Sequence, residues 1–325
     1  MPKLVCAQVS LCPKLVCAPV RLCPSSFVPQ VRLCPSSFVP NNRWTDPTNN
    51  EVPRFKRCFV SCAACIHVAF GCGIKFNAID ATYSRHSVYR QGYLHMLSTR
   101  DGNNKILPLA WAICETESGP TYEFFADQCH AAGLHRYMTR NSVLFSDRQK
   151  GLEKFHERFN SHRGRCVLHI IRNARDHIRG SGQIFQNKTV WALQEADTEE
   201  KYLEQLEILR GESEKAADYF DDLPHEEVYL YAFLQKGVRT HGHKTSNIIA
   251  ESVNWFLNEA RHEAPYRCND KICTWIGKEF AARTETMQKW VEQGHMLTPY
   301  AHNLFATQVC AHMIALCPHD CFVPT

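Results

Sequence analysis

The chain has 325 residues, 44% hydrophobic and 22% charged, a balance typical of one large globular domain or two small ones. Its net charge of +4, from 37 Lys and Arg against 33 Asp and Glu, neither requires nor excludes a nucleic-acid partner. We expect reduced thiols in an intracellular protein and no membrane segment, because the 17 cysteines follow no secretory signal and no apolar stretch reaches about 20 residues.

The first 50 residues contain a repeat that is rich in Cys and Pro. KLVCAQVSLCP is followed by KLVCAPVRLCP, and VRLCPSSFVP then occurs twice. Proline at this density is incompatible with a helix or a central strand, and the unit is shorter than the roughly 20 to 50 residues of solenoid repeats. We therefore predict a disordered low-complexity segment over residues 1–50 rather than a metal-binding array.

An apolar stretch over residues 58–74 begins the part of the chain that has the texture of a folded domain. Cys62 and Cys65 form a Cys-x-x-Cys pair within it, and further Cys and His residues lie nearby. Two interpretations are open at this point. The cysteines either form a structural zinc site or pack as small hydrophobic side chains in a core.

Three strands are predicted between residues 73 and 115. GIKFNAIDATY alternates as a strand does, QGYLHMLSTRD is the second, and KILPLAWAICE is a nearly continuous apolar run. Asp101 and Gly102, between the last two, are a strong signal for a hairpin turn. The pattern therefore predicts a meander of three antiparallel strands.

Helices and strands alternate in the next part of the chain. Pro120 suits the first turn of a helix, and TYEFFADQCHAAGL carries apolar residues at helical spacing. A strand SVLFSD, a helix QKGLEKFHERF, a short strand RCVL and a helix HIIRNARDHI follow. The order βββ-α-β-α-β-α predicts an α/β fold in which crossovers add parallel strands to the meander and helices flank the mixed sheet.

Residues 180–245 lose the strand signals and become helical and acidic, as in DTEEKYLEQLEILRGESEKAADYFDDL. Asp197 and Glu200 have the spacing of a helix cap within this stretch. We therefore predict an all-helical insertion over these residues.

A further helix is expected to start behind Thr245 and to run through IIAESVNWFLNEARH. Helices in residues 246–300 would then complete the core that begins with residues 51–179. Residues 301–325 are expected to form a tail.

Two aspartates lie at the predicted ends of strands. Asp80 ends the first strand and Asp147 ends the fourth, and strand ends at one edge of a sheet converge. Phosphoryl transfer with two Mg²⁺ ions roughly 3.5 to 4 Å apart needs at least three acids from distant parts of the chain. Glu251 is not selected by periodicity, since it projects from the side of its helix opposite the apolar stripe.

The ordered set of sequence blocks resembles the transposases of Mutator-like elements. The blocks are FNAIDATY, KILPLAWAICETES, FSDRQKGLEKF, RCVLHIIRNARDH and TSNIIAESVN, and the region from the first to the last is a little over half of the chain. The resemblance implies an RNase H-like catalytic core with a helical insertion before its last acid. It places the family's catalytic and metal-binding acids on Asp80, Asp147 and Glu251, and its Cys-x-x-His signature on Cys166 and His169.

The resemblance also implies partners and cofactors. Two Mg²⁺ or Mn²⁺ ions, DNA as transposon ends and target, a homo-oligomeric assembly and a nuclear location are expected, whereas zinc is not. It places an apolar helix before the first strand, which favours buried cysteines over a zinc site there. For Cys166 and His169, a packing or substrate-contacting role is preferred, because two ligands cannot close a tetrahedral zinc site.

Basic residues near the predicted acids are candidate DNA contacts. They are Arg85, Arg148, Lys150 and Arg172, although a solvated surface explains them equally well. The family has Gly, Thr and His after its first aspartate, where this chain has Ala81, Thr82 and Tyr83. Two alternatives therefore remain beside the enzyme: a decayed or domesticated regulator that binds DNA or protein, and a metalloprotein with structural zinc in its cysteine clusters.

Overall fold

The computed structural model describes residues 57–87, 89, 92–147, 151–178, 188–238 and 257–306. The repeat predicted for residues 1–50 lies outside the described residues. The same holds for residues 307–325, which make up most of the predicted tail.

A six-stranded mixed sheet forms the centre of the protein. Its strands are β1 Arg57–Ser61, β2 Ile74–Tyr83, β3 Tyr93–Arg100, β4 Ile106–Cys114, β5 Val143–Ser146 and β6 His162–Arg165. Their order across the sheet is β1-β4-β3-β2-β5-β6. The pairs β1–β4, β4–β3 and β3–β2 are antiparallel, whereas β2–β5 and β5–β6 are parallel. The predicted α/β fold, with a meander followed by parallel strands, is confirmed at this level.

Ten α-helices with both ends in the described part of the chain accompany the sheet. They are α1 Ala63–Cys72, α2 Gly119–Ala131, α3 Leu152–His156, α4 Val167–His177, α5 Thr189–Glu195, α6 Glu199–Glu212, α7 Glu214–Asp221, α8 His225–Val228, α9 Leu230–Gln235 and α10 Pro265–Glu292. Residues 299–306 are also helical. Among the described residues, none of the helices combines the length and the apolar character that crossing a bilayer requires.

Two strands differ from the sequence prediction. β1 was not expected, because the apolar stretch over residues 58–74 was assigned to a helix. Within that stretch, only Ala63–Cys72 are helical, as α1. β1 pairs along β4, and Phe59 packs on Phe125 of α2 with ring centroids 6.0 Å apart. β6 was predicted over residues 165–168 but ends at Arg165, since Val167 already belongs to the buried face of α4.

Local signals located the turn and the first helix of the central region correctly. The Asp101 carboxylate accepts hydrogen bonds from the backbone N–H groups of Asn103 and Lys105, both at 2.9 Å, and closes the hairpin between β3 and β4. Pro120 lies in the first turn of α2, as predicted.

The helix cap predicted in the insertion is wrong. The N-cap of α6 is Thr198, whose hydroxyl accepts from the Lys201 N–H at 3.3 Å. Asp197 instead contacts the Lys201 ammonium at 2.7 Å, because it lies one residue too early to reach the free amides. Every residue from 188 to 238 is described, and this stretch contains five helices and no strand.

The core lies on both faces of the sheet. Trp111 of β4 is buried and donates to Asn269 of α10 at 2.8 Å, so α10 covers one face. Cys58, Cys62 and Cys65 are buried in the same hydrophobic cluster. The Cys62 thiol accepts from the Cys65 N–H at 3.4 Å and caps α1. These cysteines therefore act in packing and capping.

Candidate functional site

Four strands end at the same edge of the sheet. β2, β5 and β6 are parallel to one another, and β4 has the same direction because two antiparallel pairings separate it from β2. We call this side of the sheet the carboxyl edge. Ligands bind in α/β sheets outside the carboxyl ends of the strands, so this is where the predicted site residues need to meet.

Asp80 and Asp147 lie on adjacent strands at the carboxyl edge. The parallel register pairs Ala78 with Phe145, and two further residues along each strand lead to Asp80 and Asp147. Neighbouring strands are about 4.8 Å apart, so the two aspartates start from adjacent backbone positions. Both are partly exposed, and the Asp80 carboxylate accepts from the Ala81 N–H at 2.9 Å. The structure therefore brings these two predicted acids together.

Glu117 is a third acid at this edge that the sequence analysis did not single out. It follows β4, and its carboxylate accepts from the Tyr122 hydroxyl at 2.7 Å. Burial raises the pKa of Glu117; the Tyr122 hydrogen bond opposes this rise, and the negative charge of Asp147 adds to it. The predicted strand directions could have identified Glu117, because β4 must run parallel to β2 in a three-strand meander and therefore ends at the same edge as β2.

Cys166 and His169 also lie at the carboxyl edge. Cys166 is the N-cap of α4 rather than part of a strand, and its N–H donates to the Ser146 carbonyl at 2.8 Å. Cys166 is therefore hydrogen-bonded to the residue before Asp147. It is buried, whereas His169, one turn later on the same side of α4, is partly exposed. This arrangement gives Cys166 a packing position, whereas the His169 side chain is partly exposed on α4.

Gly151, the next described residue after Asp147, lies close to the segment that follows Glu117. This glycine has φ +106° and lies against Gly119 at the start of α2; a Cβ on Gly151 would be 2.7 Å from the Gly119 nitrogen. The start of α3 is thereby packed against the chain two residues after Glu117. Arg148 and Lys150, two of the predicted DNA contacts, lie outside the described residues.

Glu251, the third predicted catalytic acid, lies outside the described residues as well. The chain is described again from Leu257, which is buried. The helix predicted to reach His262 is not continuous there: residues 257–259 form a turn and Ala260–His262 a 3-10 helix. The 3-10 helix begins nine residues after Glu251 in the sequence.

Arg261 joins this 3-10 helix to the end of β2. Its Nε donates to the Tyr83 carbonyl at 2.9 Å, and its own carbonyl accepts from the Arg85 N–H at 2.7 Å. Arg85, a predicted DNA contact, is exposed here, and Arg172 is exposed on α4. The sequence analysis missed Arg261, because its relation to residues nearly 180 positions earlier depends on the fold.

The acids fit part of the predicted metal-binding set. Asp80 and Asp147 are two adjacent, partly exposed carboxylates, the ligand type that Mg²⁺ and Mn²⁺ prefer. Within the described ranges, no three Asp, Glu, His or Cys side chains are arranged to hold a metal ion. The negative charge of Asp147 acts on Glu117, and Glu251 remains the predicted third ligand.

Comparison of the chain with models of protein families and with curated proteins gives no match.

Proposed function

We propose that the chain is a DNA transposase-like protein of the Mutator-like type, with an RNase H-like core that cleaves and joins DNA strands. The observation that carries the proposal is the parallel register of β2 and β5, which leads to Asp80 and Asp147 on adjacent strands. Three antiparallel strands followed by two parallel strands support it, since the resemblance implies this order. The five helices of residues 188–238 agree with an insertion before the last acid.

In this proposal, Asp80, Asp147 and Glu251 hold two Mg²⁺ or Mn²⁺ ions. When bound, such ions stabilise the attacking and the leaving oxygens of a phosphodiester in an in-line displacement. Asp80 and Asp147 approach from rigid strands, which suits a site that must keep its geometry during the reaction. Water would first cut the element ends, and the freed 3′-hydroxyl would then attack target DNA.

The remaining features of the proposal follow from its substrate. Arg85 and Arg172 are exposed near the carboxyl edge, and their side chains suit backbone phosphates. Arg148 and Lys150 stay predicted phosphate contacts. His169, partly exposed on α4, is a candidate for contact with the substrate. We also propose a homo-oligomer that holds two DNA ends, and a nuclear location. A decayed relative that only binds DNA or protein is the alternative.

The test is nicking of supercoiled plasmid and of labelled element-end DNA by the purified full chain with Mn²⁺. Asp80→Asn and Asp147→Asn should each abolish nicking while DNA binding remains. Asp270→Asn is the matched control, because Asp270 is exposed on α10 and forms no ion pair with another described residue; it should nick at the wild-type rate.

The outcomes separate the two functions. Nicking that survives both substitutions would show that these aspartates do not carry the reaction. If the wild-type chain binds DNA but cuts neither substrate, the catalytic proposal is wrong and the regulator is favoured.

A further inference from the structure

Two arginines and a tyrosine form a cluster just beyond Asp80. The guanidinium carbon of Arg261 lies 4.6 Å from the centre of the Tyr83 ring, and that of Arg85 lies 5.7 Å from it. Both distances are within the range of a cation–π contact. We call Tyr83, Arg85 and Arg261 the guanidinium cluster.

The cluster carries positive charge that forms no salt bridge with a carboxylate of the described residues. Within the described residues, no Asp or Glu lies within salt-bridge distance of Arg85 or Arg261. Two other partly buried arginines do have such partners: Arg57 contacts Glu115 at 2.6 Å, and Arg283 contacts Asp101 at 3.0 Å. The cluster is therefore a place where positive charge is held by the fold and left available to an anion.

Arg261 is held in place before any ligand arrives. It is only 8% exposed, its Nε donates to the Tyr83 carbonyl, and its carbonyl accepts from the Arg85 N–H. Burial lowers the pKa of Arg261, and the nearby positive charge of Arg85 lowers it further. A bound anion would offset both effects. Because the Nε–H is already used, the two Nη groups are the donors that remain for it.

The position of the cluster indicates which anion it would meet. Tyr83 is three residues after Asp80, and the charge of Asp80 acts on Arg261. A DNA strand whose scissile phosphate lies at Asp80 and Asp147 has further phosphates on each side. Guanidinium groups suit such phosphates, because their planar N–H donors match phosphate oxygens.

We propose that the guanidinium cluster is a phosphate-binding site for the DNA backbone, occupied by a phosphate that neighbours the scissile one. This proposal rests on the proposed function, because it takes DNA at the carboxyl edge as the substrate. Arg261 is the fixed part of the site and Arg85 the exposed part. Tyr83 keeps the two guanidinium groups together despite their like charge.

The test is the salt dependence of DNA binding by the full chain, measured without divalent metal on a short labelled duplex by fluorescence anisotropy. Arg85→Gln and Arg261→Gln should each weaken binding roughly eightfold at 0.1 M salt and lower the slope of log K against log salt by about 0.9, the contribution of one phosphate. The loss should be the same on unrelated sequences, because phosphate contacts carry no base information.

Arg140→Gln is the matched control. Arg140 is exposed, and it precedes β5, whereas Asp147 follows that strand, so the two lie at opposite ends of it. This variant should bind with the wild-type slope. Arg85→Gln decides the test even if Arg261→Gln impairs folding, because the Arg85 side chain is exposed and lies over the exposed Tyr83 ring.

The outcome is independent of nicking. If Arg85→Gln binds DNA with the affinity and slope of the Arg140→Gln control, the phosphate site is wrong, even where Asp80→Asn abolishes nicking and the proposed function stands. A reduced slope in a chain that never nicks DNA would support the phosphate site and reject the catalytic proposal.

Discussion

Replacing Gly151 with alanine should destabilise the protein more than an ordinary glycine substitution. Gly151 precedes α3 and has φ +106°, a backbone conformation that side chains of L-residues rarely adopt. A Cβ there would also lie 2.7 Å from the Gly119 nitrogen and 2.8 Å from the Gly119 Cα. Both are backbone atoms, so no side-chain rotation can relieve the contact.

The two effects have separate magnitudes. A left-handed backbone costs a residue with a Cβ about 1–2 kcal/mol, and inserting an extra carbon into a packed site costs about 1–3 kcal/mol. Gly151→Ala should therefore lower the free energy of unfolding by about 2–5 kcal/mol. Gly133 is the matched control, because its φ is +87° and a Cβ on it would meet nothing within 4 Å. Gly133→Ala should lose only the backbone contribution of about 1–2 kcal/mol.

Urea denaturation followed by tryptophan fluorescence measures the difference between the two variants. Both should unfold at lower urea than the wild type with an unchanged m-value, and Gly151→Ala should unfold first. Nicking by Gly151→Ala should also fall, because a displacement of about 1 Å at a catalytic site costs roughly 100-fold in rate. Equal midpoints for Gly151→Ala and Gly133→Ala would show that the approach to Gly119 is not tight, and would refute the reasoning.

Two further predictions concern buried charge. Burial lowers the pKa of His95 to about 4, below its unfolded value of about 6.5, so the folding stability that neutral His95 allows should be lost as pH falls from about 6.5 to 4. Over this pH range, the free energy of unfolding of the wild type should fall by about 3 kcal/mol more than that of His95→Phe, as measured by urea titrations at several pH values. The same pH dependence in both proteins would contradict this. Arg283 donates to the Asp101 carboxylate at 3.0 Å and to the Ile106 carbonyl at 2.9 Å. Arg283→Met should therefore cost about 2 kcal/mol in the same assay, and a loss below about 0.5 kcal/mol would show the contacts to be weak.

Strand and helix identity was predictable wherever the signal is local. The hairpin at Asp101 and the helix start at Pro120 depend on residues within four positions of each other. Errors occurred where a short apolar run fits both a strand and a buried helix, as at residues 165–168. Residues 57–61 form β1 because the outer side of β4 offers a partner, and that partner lies about 50 residues away in the sequence.

The candidate site was predictable in part. Alternation and resemblance selected Asp80 and Asp147, and the β2–β5 register leads to both of them at adjacent positions. Glu117 was not selected, although the direction of β4 in the meander could have placed it at the carboxyl edge; its closeness to Asp147 depends on the packing of the loop after β4. Glu251 stays a prediction, because it lies outside the described residues.

By itself, the amino-acid sequence determined most strands and helices of this protein, the sharp hairpin and the choice of Asp80 and Asp147, although β2 continues three residues beyond Asp80. These features depend on backbone preferences and side-chain periodicity over a few neighbouring residues. Only the tertiary structure decided that the charge of Asp147 acts on Glu117, that β1 completes the sheet, and that Arg261 joins Tyr83 and Arg85. Such contacts arise from strand pairing and burial between distant segments, and their electrostatic strength depends on how much water the fold excludes.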